Sequence, residues 1–70
     1  MEQLRISLAA ARVNAEMTQE AVAKEMQVSK QTIINWEKGR WAPGIAEMEK
    51  LSKIYKIGID NIIFLPSSST

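Results

Sequence analysis

Residues 18–38, TQEAVAKEMQVSKQTIINWEK, decide how this chain folds. They read as two short helices about a tight turn. Val22, Ala23 and Met26 fall at i, i+1, i+4 spacing on one face of the first helix. Ile33 and Trp36 form an i, i+3 pair on the second. Thr18 and Ser29 are suitable N-caps, since a hydroxyl there accepts from an orphan backbone N–H of the helix it opens. Only Gln27 and Val28 separate Met26 from Ser29, so the turn is about three or four residues long and the pair is a helix-turn-helix. Ala23 suits that geometry, because a small side chain lets the two helices approach closely where they cross.

The second helix of the pair carries a polar outer face. At 100° per residue, Ile33 and Trp36 lie roughly 60° apart and point inward. Gln31, Asn35 and Lys38 then cluster on the opposite side, with Thr32 beside them. Long amides and hydroxyls among cations are the side chains that read base edges in a major groove. A merely solvated face would carry the same residues, so the face alone leaves both readings open.

Composition narrows the classes. Seventy residues make one domain, near the lower limit for a core without staples. Without Cys there is no disulfide framework, and without Cys or His no ordinary zinc site. No run approaches the ~18 apolar residues of a membrane span, and no signal peptide is evident. The expectation is an all-α, cytoplasmic protein that needs no cofactor or metal. A net charge of +1 says little about partners, but its distribution says more. Residues 27–40 hold Lys30, Lys38 and Arg40 against Glu37 alone, a local balance of +2.

Upstream, residues 2–15 read as a helix. Leu4, Leu8, Ala11 and Ala15 make one apolar stripe, with Arg12 on its border, and Ile6, Ala9, Ala10 and Val13 make a second. One face suffices for a surface helix. The second stripe is either ordinary surface or a contact for a protein partner. Met17 precedes the Thr18 cap as a candidate hydrophobic staple. Downstream, Gly39 is a natural left-handed C-terminal residue. Residues 40–44 form a loop, because Pro43 disfavours helix at the residue before it. Ile45, Met48, Leu51, Ile54 and Tyr55 then define an amphipathic helix ended near Gly58. Residues 59–64, IDNIIF, read as a fifth short helix, stopped by Pro66. The expected core is Leu4, Leu8, Val22, Met26, Ile33, Trp36, Met48, Leu51 and Ile62. The helix-turn-helix domain covers residues 1–65, with 66–70 a disordered tail.

The run ARVNAEMTQEAVAKEMQVSKQTIINWEKGRWAP resembles the helix-turn-helix of the lambda repressor/Cro class, the XRE family. Arg12, Thr18-Gln19, Ala23, Val28-Ser29, Ile33, Trp36-Glu37, Gly39 and Pro43 carry the resemblance, which extends over about residues 2–64. It implies a five-helix lambda repressor-like fold that binds double-stranded DNA as a homodimer on a near-palindromic site. It places DNA contacts on Gln19, Ser29, Lys30, Gln31, Thr32, Asn35, Lys38 and Arg40. Gln19 would hold a phosphate, Gln31 and Asn35 would each reach an adenine, and Lys30 would reach a guanine or a phosphate. Lys38 and Arg40 would hold the backbone. It also pairs Arg12 with Glu37, a structural tie between the first helix and the end of the recognition helix.

Two departures stand out. Many relatives carry Gly where this chain has Glu16 and Gln27, so both sites are expected at positive φ, at a cost of about 1 kcal/mol each. Ile34 stands where a small polar residue is common; it is either a thymine-methyl contact or exposed surface. Trp41 packs on the following helix or lies against the sugar-phosphate backbone. The function these readings imply is a sequence-specific transcriptional regulator of phage or bacterial repressor type. The rival is an antitoxin-like module that holds a protein partner, favoured by the second stripe on the first helix. An enzyme has no support, since His, Cys, a Gly-rich phosphate loop and paired inward acids are all lacking. The chain is then either a complete Cro-like regulator or a trimmed N-terminal domain.

Overall fold

A computed structural model describes residues 5–64. The elements in chain order are β1 (Ile6–Ser7), α1 (Leu8–Asn14), α2 (Gln19–Met26), α3 (Lys30–Lys38), α4 (Ile45–Tyr55), a 3-10 turn (Ile59–Asn61) and β2 (Ile62–Ile63). Both helices of the motif, and α4, begin where their caps and spacing place them. Thr18 Oγ1 accepts from the Ala21 amide at 3.0 Å and Ser29 Oγ from the Thr32 amide at 3.1 Å. The core is Leu8, Ala11, Val22, Ala23, Met26, Ile33, Trp36, Leu51, Tyr55 and Ile62, with Met48 only half-buried at its edge.

The fold is mostly helical, as expected, and the five-helix count is corrected at both ends. Four α-helices are present among the described residues. The first helix starts at Leu8 because Ser7 caps it, accepting from the Ala10 amide at 3.0 Å. Ile6 therefore lies in a strand, and of the second stripe only Ala9, Ala10 and Val13 stay on the helix, with Val13 exposed. At the other end, Ile62 and Ile63 run extended, as β-branched residues prefer. They pair in parallel with the N-terminal strand, Ile6 with Ile62 and Ser7 with Ile63. This two-stranded clasp joins the two ends of the described chain. Leu4 and the 66–70 tail lie outside the described residues.

Ile45 is a further correction: expected in the apolar stripe of α4, it is 74% exposed. Spacing by threes falls behind the helix by about 60° at each step. With Leu51 at the centre of the buried face, Ile45 sits roughly 120° away from it.

All four helices end alike. Glu16, Gln27, Gly39 and Lys56 adopt positive φ, at 60°, 60°, 75° and 59°. In each case the next amide reaches back to a carbonyl five residues earlier, as Val28 does to Ala23 at 3.0 Å and Arg40 to Asn35 at 3.0 Å. This is the hydrogen bonding of a Schellman ending. Only Gly39 meets it without a steric cost. Gln27→Gly is accordingly expected to raise stability by up to about 1 kcal/mol, net of glycine's greater unfolded-state freedom. Urea melts check this; an unchanged or lower midpoint would contradict it.

Candidate nucleic-acid interface

The apolar side of α3 is fixed by Ile33 and Trp36, 2% and 6% exposed. The opposite side is thereby held outward. Lys30, Gln31, Lys38 and Arg40 are exposed, and Thr32 and Ile34 are half-buried beside them. Ser29 caps the helix and shares a 3.0 Å hydroxyl–hydroxyl hydrogen bond with Thr32. Lys30 Nζ lies 3.0 Å from Glu20 Oε2 on α2, and this ammonium holds the Glu20 carboxyl below its usual range. Both partners are exposed, so the pair holds Lys30 only weakly.

Two of the expected contacts sit differently from the sequence reading. Asn35 is 8% exposed, the one buried polar residue among the described residues. It lies roughly 100° from Trp36 and roughly 160° from Ile33 around the helix, on the outward side, so its burial comes from the side chains laid over it. The left-handed ending at Gly39 folds Arg40 back over it. Asn35 Oδ1 accepts from Gln31 Nε2 at 3.2 Å and from Arg40 Nη1 at 2.9 Å. Gln19, expected to face a phosphate, instead donates from Nε2 to Glu37 Oε1 at 3.0 Å. One N–H of that amide group remains for another acceptor. Trp41 is 52% exposed rather than packed away.

Beneath this surface, α1, α2 and α3 are tied together by charge. Arg12 Nε donates to Glu37 Oε2 at 2.7 Å, and Nη2 to Oε1 at 3.4 Å. Arg12 Nη1 donates to the Met17 carbonyl at 3.0 Å, at the turn into α2. The two side chains are 17% and 8% exposed. The hydrogen bond to Glu37 raises the Arg12 pKa further above its usual value. The pairing that the resemblance implies is thus present, and the Gln19 amide extends it. Glu37 also borders the packed cluster of Leu8, Ile33, Trp36, Leu51 and Tyr55, which leaves no room for water. Its carboxylate oxygens are met by Arg12 and Gln19.

Tyr55 lies against this group. Burial, with the nearby Glu37 charge second, pushes its hydroxyl up to about 12 from 10.0. Below pH 10 the phenol is neutral in folded and unfolded chains alike, and stability is full. From pH 10 through 12 the unfolded chain loses its proton first, so roughly 2–3 kcal/mol is lost. Tyr55→Phe should flatten this part of the alkaline denaturation curve. An identical alkaline midpoint in the variant would contradict the assignment.

A helix-turn-helix with a buried inner face and a polar, cationic outer face on its second helix defines a class, and the comparisons agree. A family model described as helix-turn-helix matches residues 8–62. The chain belongs to that family, in its XRE-type branch. It is 41% identical over 46 residues to an uncharacterized HTH-type transcriptional regulator of Methanocaldococcus jannaschii, covering 66% of this chain and 70% of the relative. It is 36% identical over 52 residues to the cryptic phage CTXphi transcriptional repressor RstR of Vibrio cholerae, covering 74% and 47%. With the HTH-type transcriptional activator BcrR of Enterococcus faecalis it shares 31% over 52 residues, covering 74% and 26%. The match thus spans about a quarter of the activator's length and about half of the repressor's. No solved structure matches the chain significantly. The family is one of transcription regulators rather than a class of enzymes. Among the described residues, no helix is long and apolar enough to cross a membrane.

Proposed function

We propose that this chain is a sequence-specific DNA-binding domain of a cytoplasmic transcriptional regulator, entering the major groove with α3. The observation that carries this reading is the outer face of α3, where Lys30, Gln31, Lys38 and Arg40 stand exposed on a helix anchored by Ile33 and Trp36. Gln31 supplies base contact, and Lys30, Lys38 and Arg40 supply charge for phosphates. Repression is the simplest outcome, because occupying a promoter requires only binding. The antitoxin-like alternative loses only part of its support, since Ile6 leaves the first helix for the strand while Ala9, Ala10 and Val13 stay on it; the polar, cationic face of α3 favours DNA.

One α3 offers few base contacts, so a homodimer on a near-palindromic site supplies the affinity. Half-site centres are then about 34 Å apart, one turn of DNA. Footprinting on a bound genomic fragment should show two protected half-sites at that spacing, with two chains per duplex at saturation. Protection of a single half-site by one chain would refute the dimer.

A further inference from the structure

We propose that Asn35 is a positioning residue which, under the control of Arg40, fixes the direction in which the Gln31 amide faces. The inference rests on α3 reading DNA, and it removes Asn35 itself from the set of base readers. Arg40, Asn35 and Gln31 are hydrogen-bonded in series. Arg40 has donors and no acceptor, so the Asn35 atom 2.9 Å from its Nη1 must be the amide oxygen. That settles the orientation of the Asn35 amide. The Gln31 atom 3.2 Å from the same oxygen must then be its nitrogen. Gln31, an exposed residue, is left with Oε1 and the second N–H of Nε2 not used in that bond. Those are the acceptor and donor that a bidentate contact to adenine requires.

Burial separates the roles of the three. Asn35 is 8% exposed and its oxygen is doubly engaged, whereas Gln31 and Arg40 are both exposed. A guanidinium has five N–H donors, so Arg40 can keep one bond to Asn35 while its others meet a phosphate. A backbone contact and a base contact are thereby linked through a residue that touches neither. Arg40 then influences a base pair that it does not reach.

The test uses Arg40→Ala, a change at an exposed side chain outside the core. Binding is measured to the best site and to every single base-pair variant of it, alongside Gln31→Ala and Arg40→Lys. Gln31→Ala should lose about 5- to 150-fold of preference at one base pair per half-site. Arg40→Ala should lose about threefold or more at that same base pair, in addition to a uniform loss over all sites. Arg40→Lys, which keeps a donor, should restore most of the local preference. A strictly uniform loss in Arg40→Ala would overturn the relay, leaving Arg40 as a backbone contact only. Loss at a base pair different from that of Gln31→Ala would overturn it too. The Gln31 side-chain amide is also followed by NMR in free protein, where Arg40→Ala should shift its resonances. Unmoved resonances overturn the relay whatever happens on DNA. Moved resonances with a wild-type protein indifferent to base sequence would leave the amide contact standing but refute its role in reading, together with the DNA-reading function itself.

Discussion

Replacing Glu37 with Ala is expected to leave the domain largely unfolded at 25 °C and unable to bind DNA. The Arg12 guanidinium would lose its 2.7 Å partner while its side chain stays only 17% exposed. Stranding one member of a buried pair costs roughly 3–5 kcal/mol. A domain of this size holds on the order of 5 kcal/mol in total. The intact pair is a different quantity, because desolvation of two ions offsets most of their attraction. Arg12→Met with Glu37→Leu should therefore recover much of the fold. Recovery is expected to be incomplete, since the Met17 carbonyl and the Gln19 amide also lose their partners. Urea melts of the two single variants and the double variant decide the matter. Additive losses would mean that the pair is not the unit on which α1, α2 and α3 depend.

Salt should produce the second large effect. Lys30, Lys38 and Arg40 give about three cationic contacts per subunit, hence about six in a dimer, each displacing condensed counterions. Affinity should then fall on the order of 10³-fold between 50 and 200 mM salt. Lys30 joins that count because its exposed pair with Glu20 is weak enough to exchange for a phosphate. A fluorescence titration at several salt concentrations measures the slope. Affinity that barely changes would argue for a protein partner instead of DNA.

The sequence made the centre of this fold legible and its edges much less so. Thr18, Ser29 and Gly39 mark helix boundaries through local chemistry that acts over three or four residues, and each marks its boundary correctly. Glu16 and Gln27 at positive φ follow from the resemblance; Lys56, with no such cue, did not. The strands at Ile6–Ser7 and Ile62–Ile63 pair across most of the chain. Neither has a periodicity of its own, and each is only two residues long. Ser7 was the available signal at the first of these, as a hydroxyl directly before Leu8. At the candidate interface, helical geometry identified the outward side of α3 but not the cover over Asn35. At roughly 100° from Trp36 and roughly 160° from Ile33, Asn35 does lie on the outward side. What covers it is Arg40, from beyond the helix end, together with Gln31. Likewise Gln19 meets Glu37 from another helix, a contact that no spacing along one helix reveals.

Selection of bound sites from a random DNA pool by the purified chain tests the central claim most directly. Sequencing should recover one near-palindromic motif, its half-sites centred about 34 Å apart. Gln31→Ala should lose preference at one symmetric base pair of that motif. A pool that stays random after repeated rounds, with wild type and Gln31→Ala indistinguishable, would contradict the claim that α3 reads DNA sequence.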